Sequence, residues 1–274
     1  MAKQIFIAEN AGFCFGVKRA VEIAEKNQGS NTLGPLIHNP QVVDKLKEQK
    51  IIPIETLEQA SSRKIIIRAH GAPDSVHEKA KSINFEVIDA TCPLVKKVYT
   101  LAKELENDGY QVIIIGDKKH PEVIGISGNL NSPIIINSLD QAVSLGKYKK
   151  LGIVSQTTQS RDFFDLVTEH LKTHCDELKI HNTICEATEQ RQLSAKKLAE
   201  QVNIMVVIGG KNSANTKKLF NISNSFCNAM HIETKDEITE EMLQNADKIG
   251  ITAGASTPDW IIQEIINKIK SFEE

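Results

Sequence analysis

The sequence predicts an α/β protein of three pseudo-equivalent small domains, with mainly parallel sheets arranged around a central cavity. Strand-like runs, polar loops and helix-like stretches alternate along all 274 residues, without long linkers or low-complexity segments. Three stretches also follow one plan: Ala11-Gly12-Phe13-Cys14-Phe15-Gly16-Val17-Lys18, Asp89-Ala90-Thr91-Cys92-Pro93-Leu94-Val95-Lys96 and Asn182-Thr183-Ile184-Cys185-Glu186-Ala187-Thr188. Each sets one cysteine after a strand-like run and ahead of a helix. The cysteines stand 78 and 93 residues apart, so the expected domains are 14–91, 92–184, and 185–274 together with 1–13.

The chain opens with a strand, Gln4 to Ala8, before Cys14 and a helix striped by Val17, Ala20, Val21 and Ala24. Leu33 to Pro40 reads as a short strand or turn and Val42 to Lys50 as a helix. The β-branched run in Lys64 to Gly71 is a buried strand, Pro73 to Ser82 a helix, and Phe85 to Ile88 the strand that delivers Cys92. The next helix has the stripe Leu94, Val98, Leu101 and Leu105. Strands follow at Gln111 to Ile115, Ile134 to Ile136 and Leu151 to Val154, then a helix from Phe163 to His174 and a strand from Leu178 to His181 leading to Cys185. The third cysteine helix is striped by Ala195, Leu198, Ala199 and Val202. Ile204 to Ile208 and Lys248 to Ile251 are strands, and Asp259 to Ser271 is the closing helix. By this plan Gln4 to Ala8 completes the sheet of the last domain, beside the C-terminal strands.

Bulk composition is that of an ordinary soluble protein, 41% apolar and 25% charged. A net charge of −2 gives no electrostatic reason to expect nucleic acid or an anionic membrane as partner. No apolar run approaches the roughly 20 residues that span a bilayer, and Met1-Ala2-Lys3-Gln4 does not open a signal peptide, so a cytoplasmic location is expected. Five scattered cysteines do not form a secreted disulfide framework.

In open α/β sheets, ligands gather beyond the carboxyl ends of the strands, where helix N-termini also point. Polar loops occupy that position in each third. The first has His38 and Asn39, then His70. The second has His120 and Glu122, then Gln156, Thr157 and Thr158. The last has Ser213 and Asn215, then Ser256 and Thr257. Helix capping is the plain alternative for Ser-Gln-Thr-Thr and Asn-Ser-Ala-Asn, and for Glu122 it is a carboxylate complementing a helix dipole. Cys175 and Cys227 are expected to be inert packing, and His77, His170, His174, His181 and His231 to be surface or satisfied core residues.

Three thiolates at helix N-termini, one per domain, suggest a common centre. Structural zinc takes four ligands, often in close Cys-x-x-Cys pairs, and none occurs here. A disulfide takes two cysteines. A 4Fe–4S cluster held by three cysteines leaves one iron without a protein ligand, able to act as a Lewis acid while the cluster supplies electrons. The surrounding histidines, hydroxyls and amides suit a phosphate-type anion. Nucleotide fingerprints fail: Met205 stands where a P-loop needs its upstream glycine, and Lys211 is followed by Asn212.

As a set, the motifs resemble the 4-hydroxy-3-methylbut-2-enyl diphosphate reductase family, the iron–sulfur enzymes that end the non-mevalonate isoprenoid pathway. The motifs are Ala-Gly-Phe-Cys-Phe-Gly-Val at 11–17, Ile-His-Asn-Pro at 37–40, Arg-Ala-His-Gly at 68–71, Asp-Ala-Thr-Cys-Pro at 89–93 and His-Pro-Glu-Val at 120–123. Gln-Thr-Thr at 156–158, Asn-Thr-Ile-Cys at 182–185, Asn-Ser-Ala-Asn at 212–215 and Thr-Ala-Gly-Ala-Ser-Thr-Pro at 252–258 complete them. Any one is weak; nine in order are specific.

The resemblance implies that Cys14, Cys92 and Cys185 hold the cluster, and that His38, His70, His120, Ser213, Asn215 and Ser256 bind a diphosphate. It implies further that Thr157 orients the substrate hydroxyl and that Glu122 supplies protons; a carboxyl group enclosed near an anionic diphosphate and thiolates is expected to have a raised pKa, which suits an acid. Reductive loss of the hydroxyl would give isopentenyl and dimethylallyl diphosphates, with ferredoxin or flavodoxin as electron donor. Two positions depart from the family pattern. Lys119 replaces a common glycine, and Ala214, also in the diphosphate segment, replaces a common serine and so removes one side-chain hydrogen bond. Two other readings share the three cysteines. Quinolinate synthase would bind carboxylates and lacks this motif set; a non-enzymatic iron–sulfur sensor or carrier would leave Glu122 and Thr157 without a role.

Overall fold

The computed structural model describes residues 3–272. In chain order it runs β1 (Gln4–Ile7), α1 (Phe15–Glu25), β2 (Asn31–Leu33), α2 (Pro40–Glu48), β3 (Ile52–Ile54), β4 (Lys64–Ile67), α3 (Asp74–Ser82) and β5 (Glu86–Asp89). There follow α4 (Pro93–Asn107), β6 (Gln111–Ile115), α5 (Pro121–Ser127), β7 (Ile134–Ile136), α6 (Leu139–Val143), β8 (Tyr148–Ser155), α7 (Arg161–Leu171) and β9 (Cys175–Ile180). The chain then forms α8 (Glu186–Ala199), β10 (Ile204–Ile208), α9 (Ala214–Asn224), β11 (Asn228–Ile232), β12 (Lys248–Ala253) and α10 (Asp259–Lys270). Among the described residues no helix is long and apolar enough to cross a membrane.

Among the described residues the strands form three four-stranded sheets, ordered β3-β2-β4-β5, β7-β6-β8-β9 and β11-β10-β12-β1, with every pairing parallel. The three orders are one permutation, provided that β1 is counted as the fourth strand of the last sheet. Gln4 pairs with Lys248 and Ile7 with Ile251, as the sequence predicts for the N-terminal strand. Each fourth strand lies at a sheet edge, and each leads to a cysteine and a helix: β5 to Cys92 and α4, β9 to Cys185 and α8, β1 to Cys14 and α1.

The chain divides into two compact units. One comprises the residues up to Lys18, His38–Asp44 and those from Glu186 onward; the other comprises Arg19–Ile37 and Lys45–Cys185. The first unit holds the β1-containing sheet, and the second holds the other two.

Parallel sheets covered on both faces need apolar residues at every position of their inner strands, and Ile65-Ile66-Ile67 and Ile113-Ile114-Ile115 meet that need, all being fully buried. Alternate residues serve opposite faces. Val112 and Ile114 pack with Val98, Ala102 and Leu105 of α4, whereas Ile113 and Ile115 pack with Phe164, Val167 and Leu171 of α7. In the other unit, Ile249 and Ile251 face α10, while Met205 and Val207 face α8 and α9.

The structure corrects several local expectations. The inward face of α4 is Val95, Val98, Ala102 and Leu105, whereas Leu94 is 45% exposed. Helix α8 ends at Ala199, leaving Val202 in the following turn, and its inner face includes Thr188 and Arg191. Strands β3 and β11 are additions. Both are edge strands, which need less apolar sequence, and β3 contains Pro53, a residue that edges tolerate.

Ile113 is wholly buried between β6 and α7, so Ile113→Ala should cost about 2–5 kcal/mol. A urea titration should show the midpoint fall with little change in slope.

Candidate active site

In each sheet the first, third and fourth strands end on candidate residues, all at the carboxyl end. The first strands β2, β6 and β10 lead to His38, His120 and Ser213; the third strands β4, β8 and β12 lead to His70, Thr157 and Ser256. The fourth strands lead to the cysteines. Cys175 and Cys227 lie instead at the amino ends of β9 and β11, and burial raises the pKa of both thiols, which keeps them protonated. None of the five cysteines is in a disulfide.

In the unit with two sheets, Cys92 is the N-cap of α4, with Pro93 at the first helical position. Its amide donates to the Ala69 carbonyl at 3.0 Å, tying it to the segment that carries His70. Asp89 shapes the approach: its Oδ1 accepts from the Thr91 amide at 2.9 Å and from the Thr91 hydroxyl, and its Oδ2 meets Lys96 Nζ at 2.5 Å. Burial alone would raise the Asp89 pKa, but the bonds from Lys96 and Thr91 outweigh it and the net shift is downward.

His120 caps α5, its Nδ1 accepting the Glu122 amide at 3.2 Å. A neutral His120 therefore carries its proton on Nε2, as a donor. The His70 and His120 rings meet edge to face, with centroids 5.5 Å apart. Glu122 is buried and both carboxylate oxygens are engaged by one residue. The Thr157 amide donates to Oε1 at 2.6 Å and the Thr157 hydroxyl to Oε2 at 2.8 Å. The Thr157 carbonyl accepts the Cys185 amide at 3.0 Å. Thr157 thus joins the carboxylate to the third cysteine. The neighbouring Gln156 is structural: its Oε1 accepts the Asp117 amide and its Nε2 donates to Thr158. Lys119 is tied through its amide to Asp117 and sits at the exposed start of this turn.

In the other unit, the Gly12 amide donates to Ala253 and the Cys14 amide to Ala255, which docks the Cys14 loop on the end of β12. Gly12 has φ +96, a conformation suited to glycine. Arg191 is buried and donates to the Gly12 carbonyl at 2.9 Å. The Ser256 hydroxyl donates to the His38 carbonyl at 3.0 Å, and that carbonyl lies 2.7 Å from where a Cβ on Gly210 would stand. Ser213, buried, caps α9 by accepting the Thr216 amide, and Asn39 caps α2 by accepting the Val42 amide. Capping, the plain alternative for the Asn-Ser-Ala-Asn segment, thus describes one bond of the Ser213 hydroxyl. Asn215 differs: its side chain is 5% exposed, and neither end of the amide has a protein partner. Such a group is costly unless a ligand or water satisfies it. The buried hydroxyls of Thr216 and Thr252 share that condition and were not anticipated from sequence; only their place after β10 and near the end of β12 pointed to them.

The chain is thus a three-sheet α/β protein that presents one cysteine and two polar loops at the carboxyl end of each sheet. Residues 5–270 match the LytB protein family, and the chain belongs to it. It is 48% identical to the 4-hydroxy-3-methylbut-2-enyl diphosphate reductase of Caldanaerobacter subterraneus subsp. tengcongensis over 98% of both chains. It is 45% identical to the Aquifex aeolicus protein of the same name, over 98% of this chain and 97% of that one. Among solved structures, the (E)-4-hydroxy-3-methyl-but-2-enyl diphosphate reductase described as the terminal enzyme of the non-mevalonate pathway is 43% identical. It matches with a TM-score of 0.72 over 98% of this chain and 99% of that one. The E-1-hydroxy-2-methyl-but-2-enyl-4-diphosphate reductase of Plasmodium falciparum matches at TM-score 0.92 with 32% identity, over 97% of this chain and 88% of that one.

Because the Asp89 pKa is lowered on folding, its stabilising contribution is present above the ordinary carboxylate value of about 4 and lost as pH falls through the folded-state value. Asp89→Asn should therefore be less stable than wild type at neutral pH, and the gap should close on acidification. Denaturant midpoints across that range test it.

Proposed function

We propose that this chain reduces 4-hydroxy-3-methylbut-2-enyl diphosphate, removing its terminal hydroxyl as water to give isopentenyl and dimethylallyl diphosphates. Two electrons and two protons balance the reaction. The observation that carries the reading is Thr157, which holds both oxygens of a buried carboxylate and also accepts the amide of Cys185. Proton source and thiolate are then one residue apart. Identity near one half to proteins of that name, over nearly the whole chain, supports the same substrate.

The donor set fits an iron–sulfur group: three cysteines outside any disulfide, each after the fourth strand of its sheet and at a helix N-terminus. Bound through Cys14, Cys92 and Cys185, a 4Fe–4S cluster would supply the electrons and one iron free of protein ligands. Reduced ferredoxin or flavodoxin is the donor in this reading. The repeats run over 14–91, 92–184, and 185–274 with 1–13.

The diphosphate is held by His38, His70, His120, Ser213, Asn215 and Ser256. His120 donates from Nε2, since its Nδ1 is occupied by the Glu122 amide. The Asn215 amide, otherwise without a partner, finds one in a phosphate oxygen. Ala214 brings no hydroxyl, but it opens α9, where the first-turn amides have no intrahelical acceptor and suit an anion. When Glu122 is protonated at Oε2 its bond to Thr157 reverses: Oε2–H donates to Oγ1, the freed Thr157 O–H turns to the departing oxygen, and a proton passes from Glu122 through Thr157 to that oxygen. The same pair orients the substrate hydroxyl before reaction.

Glu122→Gln keeps size and one donor but has no acidic proton to deliver. Turnover with a reduced viologen dye should fall at least ~10²-fold, while the iron spectrum and substrate binding persist. Wild-type turnover would move the acid role elsewhere.

Cys14→Ser, Cys92→Ser and Cys185→Ser should each lose bound iron, whereas Cys175→Ser and Cys227→Ser should retain it. Loss of iron from a folded Cys175→Ser protein would overturn the ligand assignment.

A further inference from the structure

Seven residues after Cys92, helix α4 carries a tyrosine to which the mechanism above gives no part. The Tyr99 ring packs against the core formed by Val98, Val123 and Ile126, and its hydroxyl donates to the His70 carbonyl at 3.3 Å. Two glycines make room for that hydroxyl. A Cβ on Gly71 would stand 2.2 Å from Tyr99 Oη, and a Cβ on Gly125 only 2.0 Å from it. Gly71 follows His70 and has φ +79, a conformation that further favours glycine. Gly125 lies on α5, the helix capped by His120 and carrying Glu122 in its first turn. One hydroxyl is therefore wedged between the segment that bears His70 and the helix that bears Glu122, and it comes from the helix capped by Cys92.

The spacing of these parts depends on that wedge. The His70 and His120 rings are in edge contact, so a shift of either segment alters the pair. Burial, then the charges of Glu122 and Asp89, push Tyr99 ionisation well above the ordinary tyrosine range, which keeps the hydroxyl a donor.

We propose that Tyr99 is a positioning residue, whose hydroxyl sets the separation of His70 from the His120–Glu122 turn and keys both to the Cys92 helix. The proposal rests on the roles assigned to His70 and Glu122 above. It adds a specific dependence: substrate affinity should respond to the Tyr99 hydroxyl, although the hydroxyl need not touch substrate.

The test uses the iron-loaded enzyme. Tyr99→Phe keeps the ring and removes only the hydroxyl. kcat/KM should fall about three- to tenfold, as for one lost buried hydrogen bond. KM for the allylic diphosphate should rise while iron content is kept and Tm, lowered by a few degrees at most, stays well above the assay temperature. A merely structural loss would lower the active fraction and leave KM unmoved. Gly125→Ala should be far more damaging than Tyr99→Phe, because its methyl meets the hydroxyl. Adding Tyr99→Phe to Gly125→Ala should restore part of the lost activity, since the ring carbon then nearest is 3.0 Å away. An unchanged KM in Tyr99→Phe, or no rescue in the double variant, overturns the proposal. Glu122→Gln measured alongside separates this from the functional reading. An inactive Glu122→Gln beside an indifferent Tyr99→Phe removes only the tyrosine's role, whereas an active Glu122→Gln removes the acid assignment itself.

Discussion

Parallel pairing is the constraint from which the rest of this structure follows. When all strands of a sheet run one way, their carboxyl ends share an edge, and the helices that follow begin along that same edge. Loops bearing cysteine, histidine, serine and threonine then accumulate where backbone amides are free and the helix dipoles are positive. No single loop has to be long. Ser256 follows the last residue of β12, Ala253, by three positions, and Cys92 follows Asp89 of β5 by the same number. Short tethers to hydrogen-bonded strands restrict how far these side chains can drift.

The tethers are reinforced by backbone groups more than by charge pairs. Cys92, Cys14 and Cys185 each donate their amide to a carbonyl at the end of a neighbouring third strand: Ala69 after β4, Ala255 after β12 and Thr157 after β8. The sheet ladder in effect extends past its last formal pair, and the thiol-bearing residue is registered against the polar loop beside it. Thr157 takes this furthest, since its amide, hydroxyl and carbonyl are all committed.

Much of this was legible in the sequence because period and motif agreed. The cysteine after each edge strand, the polar loops at strand ends and the membership of Gln4–Ile7 in the last sheet all follow from reading the repeat as a repeat. What escaped was decided by tertiary contact. The α4 stripe was misplaced because Leu94, Val95, Val98 and Leu101 offer two overlapping helical faces, and only packing against β6 and β8 selects the one with Val95 and Ala102. Strand β3 is three residues long and interrupted by Pro53, and β11 mixes Asn228 and His231 with its apolar residues, so neither declares itself. Ser213 and Asn215 look equivalent as residue types, yet one closes a helix end and the other is left with an unpartnered amide. Local sequence does not encode that difference.

The placement of β1 also orders events in time. Gln4 to Ile7 is synthesised about 240 residues ahead of its partner, Lys248 to Ile251. Through most of translation the N-terminal strand has no edge to join, and its apolar Ile5, Phe6 and Ile7 stay open to other contacts. Closing so long a loop is entropically slow compared with pairing neighbours. The sheets made wholly of consecutive strands can form during synthesis, while the sheet that seats Cys14 must wait until β12 has been made. The Cys14 loop therefore gains its backbone partners, Ala253 and Ala255, only after the strands that seat Cys92 and Cys185 have been made.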